Sequence, residues 1–147
     1  MPNPAESANL LLKLYELRRE DKMRAARDFM FGFNPTTADE YLQAMLGPNS
    51  AYIRMVTSYW EMAASFVTNG AIDSKMFDDA NGEHLGVFAK IEPVLNGLRE
   101  KMQSPDMFKN LEQICMGVPG GPERVRAMQA RMKQIAGMLA SQRAQSA

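Results

Sequence analysis

The side chains in this sequence with chemical capacity are few and scattered. His84 is the only histidine and Cys115 the only cysteine. One imidazole cannot supply the two or three nitrogen ligands of a zinc or iron site, and no Glu-x-x-His pair exists for a di-iron bundle. His84 falls in the first turn of an expected helix, where a solvated polar residue is ordinary. Cys115 stands beside Met116 at an expected helix C-terminus, whose dipole raises a thiol's pKa, so it reads as a small buried apolar residue and not as a nucleophile. The segment Phe77–Phe88, FDDANGEHLGVF, contains Asp-x-Asn-Gly. Aligning its glycine with position 6 of a calcium loop puts phenylalanine at positions 1 and 12, where carboxylates must coordinate. It reads instead as an acidic turn between helices, with Glu83 near the positive end of the second. Glu61 and Glu92 become level if the helices flanking residues 70–83 are directly antiparallel, and two facing carboxylates can share a proton or a metal. Each lies one residue off its helix's apolar seam, where a glutamate ordinarily reaches water. No serine or threonine has a histidine base in a recognisable signature, and Val-Pro-Gly-Gly-Pro at 118–122 lacks the lysine and strand context of a phosphate loop. The sequence therefore predicts no catalytic residue, no metal and no cofactor, and reads as non-enzymatic.

The elements that must position these side chains are helical throughout. In residues 51–69 the apolar Ile53, Val56, Trp60, Ala63 and Val67 recur at steps of three and four, the seam of a helix packed lengthwise on others. Asn49 and Ser50 precede it as candidate caps, Gly70 follows it as a left-handed stop, and it carries the only tryptophan. Upstream, Leu10, Leu11, Leu14 and Leu17 define one apolar face. The same register would next place Asp21, Arg24 and Asp28 on the seam, and the apolar set instead reappears at Met23, Ala26, Phe29 and Met30. A break near residues 19–21 is expected, with helices over about 6–19 and 21–31. Thr37-Ala-Asp-Glu40 is a capping box opening a short helix to about Leu46. Asp73 caps a further one- or two-turn helix. Another long seam, on Leu85, Phe88, Ile91, Leu95, Leu98 and Met102, continues in phase on both sides of Pro93, so a kink is expected there and not an end. Ser104-Pro105 is expected to start a short helix carrying Met107, Phe108, Leu111 and Ile114, with Gly117 stopping it. The last helix runs from about Pro122 on Val125, Met128, Met132, Ile135 and Leu139. The expected fold is all-α: an up-down bundle of about four long helices plus short accessory ones, with 51–69, 83–103 and 122–140 as antiparallel neighbours. It forms a single domain over 1–147, with 1–4 and 141–147 frayed.

A chain of 147 residues buries roughly 68% of its unfolded surface, enough for a core without staples. Lysine plus arginine equals aspartate plus glutamate at 17 each, which removes any global field for nucleic acid or anionic membrane. The lone cysteine and the absence of a long apolar run predict a soluble protein in a reducing cytoplasm. Most of the thirteen methionines sit at helical spacing beside other apolar residues and read as core. Residues 122–147 carry five basic side chains against one acidic. Arg124, Arg126, Arg131 and Lys133 thus form a candidate interaction face, paired with acidic residues of another subunit or solvated. With 46% apolar residues, several methionine-rich stripes exceed what one small core hides, which predicts an interaction module that binds itself or another protein. The rival expectation is a carrier of a small hydrophobic ligand or lipid, its pocket beside Tyr59, Trp60 and Phe66.

The stretch YWEMAASFVTNGAIDSKMF, followed by FAKIEPVLNGLR, resembles the bacterial helical proteins grouped as domain of unknown function 4760. The marks are Trp60-Glu61, Gly70 followed by Ile72-Asp73, the downstream Phe77, and a proline helix ending in arginine, Pro93 and Arg99. They cover about 50 residues. The resemblance implies a helical fold and no defined activity. The membrane-spanning N-terminal segment of some members has no counterpart here.

Overall fold

Caps and prolines cut the chain into eight α-helices in the computed structural model, which describes residues 2–146. They are α1 (Pro4–Leu17), α2 (Asp21–Gly32), α3 (Ala38–Met45), α4 (Ser50–Thr68), α5 (Ser74–Ala80), α6 (Glu83–Lys101), α7 (Lys109–Met116) and α8 (Gly121–Ser146). Among the described residues there is no strand. Several starts follow from single side chains. Thr37 Oγ1 accepts from the Glu40 amide at 3.1 Å, while the Glu40 carboxylate reaches one residue further back than a simple capping box, to the Thr36 amide and hydroxyl, both at 2.9 Å. Asp73 accepts from the Met76 amide, and Gly70 ends α4 at φ +81°.

Three boundaries differ from expectation. Residues 2–4 are held, because Asn3 Oδ1 accepts from the Ala5 and Glu6 amides and Pro4 needs no donor in the first turn. Residues 141–146 are helical, since alanine, glutamine and arginine favour helix and nothing in α8 stops it; Met1 and Ala147 lie outside the described residues. The helix expected from Ser104-Pro105 begins only at Lys109. Arg99 explains that delay: its guanidinium donates twice to the Met107 carbonyl, at 2.8 and 3.0 Å, and also grips Glu112, so this oxygen is withdrawn from any helix. Gln103 and Phe108 on either side take left-handed backbone angles, φ 50° and 58°.

One buried cluster draws on every helix, from Leu14, Met23, Tyr41, Ile53, Phe77 and Leu85 to Leu111 and Val125. The α4 helix packs most extensively on α2 and α7, and α6 on α8. The order along the contacts fixes direction: Arg124 meets Asp78, just before α6, and Gln129 meets Ala89 within it, so α8 runs parallel to α6. They were expected to be antiparallel. Short α7 makes the return between them, which keeps the up-down alternation. The turn from α7 into α8 admits only glycine, for a Cβ at Gly121 would lie 2.3 Å from the Cys115 carbonyl oxygen. On the other flank Arg27 pairs with Glu83 at 2.9 Å, and the Lys90 ammonium holds the end of α2 through the Phe31 and Phe33 carbonyls and Asn34.

Candidate functional site

Trp60 occupies the centre of the core, with Tyr59 edge-on at 4.9 Å, Phe77 at 6.3 Å, His84 at 5.8 Å and the Arg18 guanidinium 5.3 Å above its ring. The Tyr59 hydroxyl donates to the Leu14 carbonyl and ties α4 to α1. Phe66, two turns on, is only half-buried. Around Tyr59 and Trp60 the space is filled by ring against ring. The two surface depressions described lie elsewhere, one along Leu139–Ser146 and one between Pro2, Leu10 and Gly70. His84 does not sit in solvent as its first-turn position suggested: α5 folds across the start of α6 and lays Phe77 against the imidazole at 4.9 Å, leaving it 3% exposed. Burial pushes its pKa down to about 4, with Arg124 and Arg18 acting in the same direction and Asp78, 3.9 Å away, opposing. Among the described residues its Nδ1 and the indole Nε1 of Trp60 have no hydrogen-bond partner. Cys115 is buried as expected, and burial pushes its thiol up to about 12.

Glu61 and Glu92 have separate employment. One oxygen of Glu61 accepts from the backbone amides of Asn110 and Leu111, at 2.8 and 3.0 Å. It is the cap of α7, supplied from another helix to the positive end of the dipole. Glu92 meets α8 through the side-chain amide of Gln129, 3.4 Å away. Gln129 answers a need that Pro93 creates. Proline has no N–H, so the carbonyl four residues back, on Ala89, loses its helical donor. Gln129 Nε2 donates to that oxygen at 3.1 Å. The proline thus docks α8 on α6 without ending the helix.

The basic face of α8 divides. Arg124 makes a bidentate pair with Asp78 at 3.0 and 3.1 Å, and Arg126 pairs with Glu123 one turn earlier. Arg131 and Lys133 are exposed and make no ion pair among the described residues. The apolar stripe divides at the same level. Val125 is buried, and Met128 and Met132 are partly covered by the core. Beyond them Ile135, Met138 and Leu139 are 36, 66 and 41% exposed. From Lys133 to Ser146 every residue is exposed, so the second half of α8 runs on past the body that covers its first half.

These features define an all-α fold whose last helix is covered by the body over its first half only. No helix among the described residues is long and apolar enough to cross a membrane. The chain belongs to the family described as Domain of unknown function (DUF4760), which matches residues 4–117. No curated protein and no solved structure matches it. The match takes in α1 to α7 and stops before α8. The residues that carry the resemblance all hold the fold: Trp60, Ile72 and Phe77 are core, Glu61 and Asp73 cap helices, Gly70 turns the chain, Pro93 frees the carbonyl that seats Gln129, and Arg99 grips the α6–α7 turn.

Proposed function

We propose that this protein is a non-enzymatic interaction module whose binding element is the second half of α8. The observation that supports the reading is the apolar stripe of Ile135, Met138 and Leu139, left uncovered on the helix whose earlier turns are packed into the core. A bare helix of about a dozen residues is marginal in water. Its stability and its apolar surface both gain when another chain covers it. The partner is a second copy or another protein, and Arg131, one turn before Ile135, borders the contact. A cytoplasmic setting accompanies the reading, supported by the single buried, unreactive thiol of Cys115. Methionine oxidation tests it. In dilute, demonstrably monomeric protein, peroxide should oxidise Met138 far faster than the core residue Met30. Equal protection of the two in a monomer would mean that the stripe is covered by its own chain, and the reading would fall.

A further inference from the structure

We infer that Asn81 is a site of covalent self-modification in the folded chain: the Gly82 backbone nitrogen attacks its side-chain amide, which is lost as ammonia, while the same dipeptide elsewhere is spared.

Asn-Gly occurs three times, at 69–70, 81–82 and 96–97. The pair is prone to this reaction because the attacking nitrogen belongs to a residue with no Cβ to obstruct it. The fold sets the three apart. Asn96 lies inside α6, where the Gly97 amide belongs to the helical ladder and ring closure would break it. Asn69 ends α4, and there the Gly70 amide donates to the Val67 carbonyl at 3.0 Å, the next two amides both donate to the Phe66 carbonyl, and the Asn69 side-chain amide donates to the Ser65 carbonyl at 2.8 Å. Asn81 ends α5, a helix of only seven residues. The Gly82 amide beyond it has no acceptor among the described residues, and Gly82 is exposed, so water reaches the site. Ring closure requires the Asn81 ψ of 143° to turn. Of the three pairs, only here does that turn take no hydrogen bond from the attacking nitrogen.

The electrophile is also poised. Arg18 Nη1 reaches from the end of α1 and donates to Asn81 Oδ1 at 2.8 Å. As the Gly82 nitrogen loses its proton and bonds to Cγ, negative charge gathers on Oδ1, and a guanidinium already aimed there stabilises it. The tetrahedral centre collapses by breaking the Cγ–Nδ2 bond. Nδ2 takes its proton from water and leaves as ammonia, and a five-membered succinimide remains. Water then opens the ring. Addition at Cγ gives an aspartate, and addition at the former main-chain carbonyl gives an isoaspartate; in sum, amide and water become carboxylic acid and ammonia. The aspartate product places a carboxylate where Arg18 already donates. Both products give up the bond from Asn81 Nδ2 to the Phe77 carbonyl, 3.1 Å long. The isoaspartate also routes the main chain through Cβ, which lengthens the joint that holds α5, and Phe77 over His84, against the start of α6.

The test incubates the folded full chain in mildly alkaline buffer and follows each Asn-Gly by peptide mass mapping, with isoaspartyl methyltransferase labelling to locate isoaspartate. Position 81 should convert severalfold faster than 69 or 96. Gly82→Ala, whose added Cβ meets nothing within 4 Å, should slow it severalfold in a chain that still folds. Arg18→Met keeps an apolar stem over Trp60 and removes the donor. It should slow conversion in the folded chain and leave it unchanged in urea, where all three pairs should react alike. An Asn81 that outlasts Asn69, or a ranking in urea identical to that of the folded chain, would overturn the site. An Arg18→Met chain converting as fast as wild type, or faster, would overturn the part assigned to Arg18.

Discussion

Replacing His84 with leucine should flatten the acid sensitivity of the fold. In the folded chain burial holds His84 neutral down to about pH 4, whereas the unfolded imidazole titrates at 6.5. The sign follows from which state binds the proton. Above pH 6.5 both states carry a neutral ring and the residue has no pH-dependent cost. Between 6.5 and 4 the unfolded chain takes up a proton that the folded chain refuses, so stability falls as pH falls through this window. A difference of that size, at 1.36 kcal/mol per unit, amounts to about 3 kcal/mol by pH 4. This is a large share of the ~5–15 kcal/mol that holds a domain together. Urea unfolding of wild type and His84→Leu at pH 7.5, 6, 5 and 4 isolates the effect, because the carboxylates titrate alike in both proteins and cancel in the difference. The wild type should lose about 3 kcal/mol relative to the variant across the series. Parallel pH profiles, or a folded imidazole titrating near 6.5 by NMR, would refute the argument.

Three further changes test the joints of the fold. Gln129→Ala should cost about 1 kcal/mol in wild type, because the Ala89 carbonyl is orphaned; in a Pro93→Ala background the restored N–H serves that oxygen and the cost should largely vanish, a coupling read by a double-mutant cycle. Glu61→Ala should cost about 2 kcal/mol, since it leaves two amides of α7 without their charged acceptor; Glu61→Gln keeps one acceptor and should lose less, both read as urea midpoints at constant slope. Gln103→Gly should raise stability by roughly 0.5–1 kcal/mol, since its left-handed backbone suits glycine and its side chain is exposed.

The parts of this molecule written in local pattern could be read from the sequence. Trp60, Phe88, Leu98 and Val125 lie on their seams at three- and four-residue spacing, and Thr37, Asp73 and Gly70 mark helix ends by their own chemistry. What escaped was set by residues distant in sequence. Glu61 looked like a water-facing flank because its partners are main-chain amides 49 and 50 positions away, and amides leave no signature in residue type. His84 looked solvated because nothing local says that α5 will swing Phe77 over it. Gln129 did have a signal: a proline inside a continuous seam frees a carbonyl, and a neighbouring helix must supply a donor. The direction of α8 depended on short α7 making a return of its own between α6 and α8, and its length alone marks it as an accessory helix. The candidate surface was half legible. The stripe through Ile135 and Leu139 was visible, and only the three-dimensional packing tells where its cover stops.

Amide hydrogen exchange over residues 134–146 tests most directly where the cover on α8 stops. In dilute, monomeric protein these amides should exchange within seconds, while α4 and α6 stay protected. Protection of the segment that is already complete in the monomer would contradict an uncovered second half of α8.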